Sequence, residues 1–208
     1  MGLRLFLLRH GETQWNREDR YQGCVDTRLS PEGLAQAEAA SLALAERPLA
    51  AVYSSPLRRA RETAEAIAAP HRLGVRIDAA FREICHGLWE GLTADEVRAR
   101  FPDIYAEWRA TPESVTMPNG ESLKEVRERV LKGLQRLRAN HDGETVCLVA
   151  HGTPVRLLIL EALGMTPERL WAFPCPPAGL SELEFRSDSA TLHRMNVVSR
   201  LRAAGLGR

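Results

Sequence analysis

The sequence predicts an α/β fold built on a mainly parallel sheet. Two apolar runs, residues 5–8 and "TVCLVA" at 145–150, lack the polar alternation of a half-solvated strand, so they read as strands covered on both faces. Helical stretches with recognisable caps alternate with the strand signals along most of the chain, as crossover connections do. Two of the strands end in the same way, "LLRHG" and "LVAHG", which sets His10 and His151 at equivalent strand ends.

Taken in order, residues 3–8 form the first strand. Ser30 is the N-cap and Pro31 the first residue of a helix running to about Arg47. Residues 49–55 form a second strand, and "LRRARETAEAIAAPH" is a helix brought to a close by Pro70. A short edge strand follows at 75–78. From about 85 to 120 the pattern loosens into an insertion over one end of the sheet. It holds a short helix capped by Thr93 and Glu96, a second short helix after Pro102, and the turn-rich "TPESVTMPNGES". Ser122 and Glu125 cap a longer helix whose buried stripe is Leu123, Val126, Val130, Leu134 and Leu137. Residues 145–150 belong at the centre of the sheet, Pro154 opens a helix that Gly164 ends, and "SELEF" with "ATLHRM" makes a closing hairpin. No repeat interrupts this order, and residues 1–208 read as one domain.

Composition narrows the function classes. A net charge of +1 gives no footprint for nucleic acid or a membrane surface, and a small-molecule partner is expected instead. Arg4 interrupts the N-terminal apolar run, and no run approaches the ~20 residues of a membrane helix, so a cytoplasmic protein is expected. Cys24, Cys85, Cys147 and Cys175 are scattered without a C-x-x-C pair, which argues against structural zinc or a redox motif, and a chain of this size in a reducing compartment is not expected to carry a disulfide framework. Cys147 reads as a core residue. His71, His141 and His193 fall on surface-like stretches and carry no assignment, and Trp89, Trp108 and Trp171 read as core or lid packing.

In a parallel α/β sheet, ligands bind at the carboxyl ends of the strands. Arg9, His10 and His151 lie there, joined by Arg58 and Arg59 after the second strand and by Glu83 and His86 after the edge strand. Arginine forks and helix N-termini suit a phosphate group. A neutral histidine can act as nucleophile, and a glutamic acid of raised pKa as proton donor to a leaving oxygen. The chain has no G-x-x-x-x-G-K-[ST], no cysteine with an arginine six positions on, no D-x-D near the first strand and no H-E-x-x-H. Histidine remains as the nucleophile.

The stretches "LLRHGETQWN", "YQGCVDTRLSPEGLAQA", "SSPLRRARETA", "REICHGLWEG", "PNGES" and "VAHGTPVR" resemble, in order over residues 3–196, the histidine phosphatase superfamily of phosphoglycerate-mutase-like proteins. The resemblance implies a three-layer α/β/α sandwich with a mostly parallel central sheet and no metal or other cofactor. It implies His10 as the phosphorylated nucleophile, Arg9, Arg59 and His151 as phosphoryl ligands, and Glu83 as proton donor. Arg59 rather than Arg58 matches the family's arginine before alanine. Asn16 would add a phosphate contact, with Gln22 and Gly23 on the rim, and analogy suggests a homodimer. The short segment from Glu83 to Gly120 looks like the phosphatase branch rather than the mutases.

Within that branch, "HGLWEG", "FPDIYAEWRATPESV" and "LWAFPCPPAGLS" resemble metal-independent phosphoserine phosphatases, with His86 as the cation for the substrate carboxylate. The α-ribazole-phosphate and broad-specificity phosphatases share most of these motifs. Arg200 stands where many relatives have histidine, a departure that bears on the phosphoserine assignment. Two other classes stay open: a metallohydrolase using His10, His86 and His151 as ligands, and a phospholigand-binding module without turnover.

Overall fold

A computed structural model describes residues 2–199. A six-stranded sheet in the order β3-β2-β4-β1-β5-β6 forms its centre. The strands are β1 (Leu3–Arg9), β2 (Leu49–Ser54), β3 (Val75–Ile77), β4 (Thr145–Ala150), β5 (Leu180–Phe185) and β6 (Ala190–Val197). β3, β2, β4 and β1 are mutually parallel, and β5 and β6 close the sheet as an antiparallel hairpin. Among the described residues the α-helices are α1 (Gln14–Arg17), α2 (Pro31–Leu44), α3 (Arg58–Ala68), α4 (Ala94–Arg100), α5 (Pro102–Ala110), α6 (Leu123–Asn140) and α7 (Gly152–Ala162).

The two apolar strands are the central pair, in register from Arg4 opposite Thr145 to Arg9 opposite Ala150. Strand side chains alternate between faces, and the core divides accordingly. Leu3, Leu5 and Leu7 of β1 join Val146, Leu148 and Ala150 of β4 in a cluster with α6 and α7. Phe6 and Leu8 join Cys147 and Val149 in a second cluster with α2 and α3. Two helical layers therefore enclose the sheet, giving the three-layer α/β/α arrangement. Residues 85–120 pack Trp89, Val97 and Trp108 into the first cluster, so this segment shares the core of α6 and α7.

Three helix boundaries differ from those expected. α2 stops at Leu44 rather than about Arg47, because Pro48 disfavours helical backbone at the residue before it. α3 stops at Ala68 and a short 3-10 turn, Ala69–His71, carries Pro70. α7 starts at Gly152, two residues before Pro154, which sits in the first turn, where a missing N–H costs nothing. His151 is thereby the N-cap of α7. The sequence also gave no sign of α1, a single turn closed by a reciprocal cap between Thr13 and Asn16. His141 is buried, bonding Tyr53 and Glu144 through its two nitrogens, so it is not a surface residue as expected. Among the described residues no helix is long and apolar enough to cross a membrane.

Candidate active site

β1 and β4 end side by side. The His10 backbone N–H donates to the Ala150 carbonyl at 3.0 Å, which brings the two histidine rings to a centroid distance of 5.1 Å. Both side chains are buried. The Nδ1 of His10 lies 2.7 Å from the Gly11 carbonyl oxygen. A carbonyl only accepts, so Nδ1 carries the hydrogen and Nε2 holds the free electron pair. The Arg59 Nε–H faces that pair at 3.3 Å. Gly11 allows this placement, since a Cβ there would stand 2.5 Å from the Gly33 carbonyl oxygen.

Arg59, fully buried at the start of α3, is aimed by backbone. Its Nη1 donates to the Val25 carbonyl at 2.8 Å and its Nη2 to the Gly23 carbonyl at 2.9 Å. Gly23 has φ +49°, a left-handed conformation that glycine adopts at little cost. Arg58, by contrast, is exposed and pairs with Glu62, so the choice of Arg59 over Arg58 agrees with burial. Arg9 donates through Nη1 to the Cys175 carbonyl at 2.6 Å, and its enclosed Nε has no partner among the described residues.

His151 lies 2.7 Å through Nε2 from the Ser55 hydroxyl. That hydroxyl has no other acceptor among the described residues, which assigns its hydrogen to Nε2 and the ring hydrogen of His151 to Nδ1. Nδ1 is buried and unpartnered. Burial, reinforced by Arg59 and Arg9, holds the pKa of both His10 and His151 well below the ordinary imidazole value, so both rings are neutral near pH 7. Burial also draws Arg59 down to about 10, against the pull of Glu83, and leaves it charged.

Glu83 approaches from the segment after β3. Its Oε1 accepts from the Ile84 N–H at 3.0 Å and from the Thr153 N–H, in the first turn of α7, at 3.2 Å. Its Oε2 has no hydrogen bond among the described residues. Arg129 of α6 anchors the stretch by donating to the carbonyls of Ala80, Arg82 and Glu83.

The remaining expected residues divide. Asn16 spends its side-chain oxygen on the Thr13 cap, leaving its amide N–H₂ available. Gln22 is buried with its oxygen on the Thr27 hydroxyl. His86 is not the cation expected for a carboxylate. Its ring packs edge-on to Tyr21 and stacks on Trp89, and burial pulls its pKa down to about 4, so it is neutral near pH 7. Arg200 lies outside the described residues.

The cysteines also differ from expectation, since Cys24 and Cys85 form a disulfide with Cα atoms 4.8 Å apart. The carboxylate of Glu90 explains the approach, because one oxygen accepts from the backbone N–H of both Cys24 and His86. Among the described residues the grouping Cys24, Cys85 and Glu121 is close enough to share an ion, but two of its members are joined as this disulfide. Ser55, Arg129, Glu90 and Thr63, which accepts from the Gly11 N–H, were missed by sequence reasoning. Thr63 stands one helical turn after Arg59, a spacing that could have flagged it.

Comparison with known proteins shows the family. The sequence profile of the histidine phosphatase superfamily (branch 1) matches residues 5–198. Phosphoserine phosphatase 1 of Hydrogenobacter thermophilus is 34% identical over 199 residues, covering 96% of this chain and 94% of that one. Among solved structures, a mycobacterial glucosyl-3-phosphoglycerate phosphatase superimposes with a TM-score of 0.86 at 32% identity, covering 95% of this chain and 100% of that one. A phosphoserine phosphatase of Entamoeba histolytica, a histidine-to-alanine mutant in complex with phosphoserine, gives a TM-score of 0.84 at 29% identity, covering 93% and 96%.

Proposed function

Because this chain belongs to the histidine phosphatase superfamily and is a phosphatase, we propose that it hydrolyses a small phosphomonoester, phosphoserine foremost, through a phosphohistidine on His10 without a metal. One observation carries the reading: the free pair of His10 Nε2 faces the Arg59 Nε at 3.3 Å while the opposite nitrogen is pinned to Gly11. A neutral, oriented imidazole beside a guanidinium is a nucleophile placed next to the charge that a phosphoryl group needs.

The steps balance with the residues at hand. The Nε2 pair attacks phosphorus, and the bond from phosphorus to the ester oxygen breaks. Glu83, through its unbonded Oε2, gives a proton to the departing alkoxide. Arg9, Arg59, the Nδ1–H of His151 and the amide of Asn16 hold the other three oxygens. Glu83, now a carboxylate, takes a proton from water as the water oxygen attacks phosphorus. The N–P bond breaks, inorganic phosphate leaves, and His10 recovers its electron pair. Gln22 and Gly23 form the rim, Gly23 through its hold on Arg59. Phosphoserine leads because two phosphoserine phosphatases, in Hydrogenobacter and Entamoeba, match nearly the whole chain.

The test is turnover with chelator present on phosphoserine, 3-phosphoglycerate, α-ribazole phosphate and p-nitrophenyl phosphate, with alkaline quench and mass spectrometry for a phosphorylated His10 peptide. Activity that survives chelation with phosphate trapped on His10 is the expected result. Loss of activity on chelation, or trapped phosphate elsewhere, would overturn the mechanism. A preference for α-ribazole phosphate or for no substrate would replace phosphoserine alone.

A further inference from the structure

The side of the cleft next to Glu83 carries positive charge that the phosphoryl chemistry does not use. Arg156 lies on α7, one turn after Gly152, and helical side chains lean toward the N-terminus of their helix. Its Nη1 comes to 3.2 Å from the point where a Cβ on Gly152 would sit, and the Oε2 of Glu83 lies 3.6 Å from the same point. Glu83 must touch the leaving oxygen, so a group beside its Oε2 touches the leaving group rather than the phosphoryl oxygens. Among the described residues Arg156 makes neither a hydrogen bond nor an ion pair, and its Nε is enclosed without a partner.

What holds Arg156 is an aromatic face. Its guanidinium lies 5.2 Å from the centre of the Trp171 ring, and that of Arg109 lies 4.5 Å from the same ring. The indole is itself fixed, donating from Nε1 to the Trp108 carbonyl at 3.0 Å. Arg109 likewise has no carboxylate partner among the described residues. Arg9 and Arg59 suffice for a phosphoryl dianion, and Glu83 is given to proton transfer at the leaving oxygen. Two guanidinium groups on one indole are left over; Arg109 is exposed, but Arg156 is half-buried, and a half-buried charge calls for a counter-charge. Burial lowers the pKa of Arg156, and Arg9 and Arg109 push the same way against the opposing pull of Cys175 and Glu83.

We infer that Arg156, with Arg109 on the same indole, is a subsite for a carboxylate on the leaving group, and that it selects phosphorylated hydroxy acids and amino acids over uncharged alcohol phosphates. The planar guanidinium fork matches a carboxylate in two parallel bonds. The inference rests on the phosphohistidine reading above and gives to Arg156 the role that His86, neutral and enclosed by aromatic rings, does not fill.

Phosphoserine and phosphoethanolamine differ only by the carboxylate, so their kcat/KM ratio isolates it. In the wild-type enzyme this ratio should exceed about 30-fold, as one charged hydrogen-bonded pair implies. In Arg156→Gln the ratio should fall at least tenfold, mainly through KM for phosphoserine, and Arg156→Lys should recover part of it. A wild-type ratio near one overturns the subsite, and does so even if the variants fail to fold. Equal losses on both substrates also overturn it, since they would make Arg156 a positioning residue for Glu83. Trapping phosphate on His10 from p-nitrophenyl phosphate in the same preparations tests the parent reading separately. If the phosphohistidine forms and the ratio does not move, the carboxylate subsite alone is wrong.

Discussion

The two histidine-bearing strand ends and the segment from Glu83 to Trp108 face the same cleft, yet they are held by different means. The strand ends are fixed by backbone: ladder bonds of β1 and β4, and the Gly23 and Val25 carbonyls that seat Arg59. The second region has no strand beneath its functional groups. Arg129 holds its entry by bonding the carbonyls of Ala80, Arg82 and Glu83, Glu90 and a disulfide tie it to the Gly23 loop, and aromatic rings fill the space around His86. On the mechanism proposed above, phosphoryl transfer sits on the sheet, while contacts with the leaving group sit on side-chain packing, which can change without disturbing the sheet.

If the strand ends carry the nucleophile, His10→Ala should show the largest loss, on the order of 10⁵-fold in kcat on every phosphomonoester. The measurement is initial rate with circular dichroism as a fold control. A folded variant that keeps a tenth of the wild-type rate would break the division at its strongest point. Glu83→Gln, on the second region, should cost about 10²–10⁴-fold with phosphoserine, since proton transfer to the leaving oxygen is lost. The loss should shrink with p-nitrophenyl phosphate, whose leaving group needs little protonation. Equal losses on the two esters would mean that Glu83 acts on the phosphoryl group and belongs with the strand ends.

The same division explains what could be read from sequence. An apolar run followed by His-Gly is a local signal, and it led to His10 and His151 and to the central pair of strands. Arg58 and Arg59 were both placed at the site because they stand where strand gives way to helix, and the family's arginine before alanine singled out Arg59. Ser55 was not: its meaning depends on His151, 96 residues away, choosing a tautomer. Cys24 and Cys85 looked unrelated because 61 residues separate them, and they are drawn together by Glu90, binding the backbone on both sides, and by the backbone bonds of Tyr21 with Gly91 and Leu92. His86 was misread for the related reason that its charge state depends on Tyr21 and Trp89, which no spacing rule connects. Asn16 was read for a phosphate contact, and the reciprocal cap it makes with Thr13 on α1 was not placed.

The tie between the regions can be cut. Reducing the Cys24–Cys85 bond, which closes a span of 61 residues, should lower stability by about 2–4 kcal/mol through the freed unfolded chain. Activity should fall less, because Glu90 still bonds both segments. Thermal melts with and without dithiothreitol measure this, and a Cys24→Ser/Cys85→Ser double variant should be indifferent to the reductant. A wild-type melting temperature that does not move once both thiols are titrated as free would show that the regions hold together without the bond.

The finest distinction is in pH. Above pH 6.5 an unfolded histidine is neutral, and so is His86 in the fold. Below 6.5 the unfolded chain takes up protons while folded His86 resists until about pH 4. The unfolded state then binds more protons, so stability falls as pH falls, by at most about 3 kcal/mol at pH 4 from this residue. His10 and His151 act in the same direction. Urea midpoints between pH 7.5 and 5 should therefore decline, and His86→Gln should decline less steeply because one of the three resisting imidazoles is gone. A wild-type midpoint flat over this range would refute the neutral buried histidines in both regions. A decline that His86→Gln leaves untouched would confine it to the two strand-end histidines, and would make the aromatic surroundings of His86 wetter than the packing around Tyr21 and Trp89 implies.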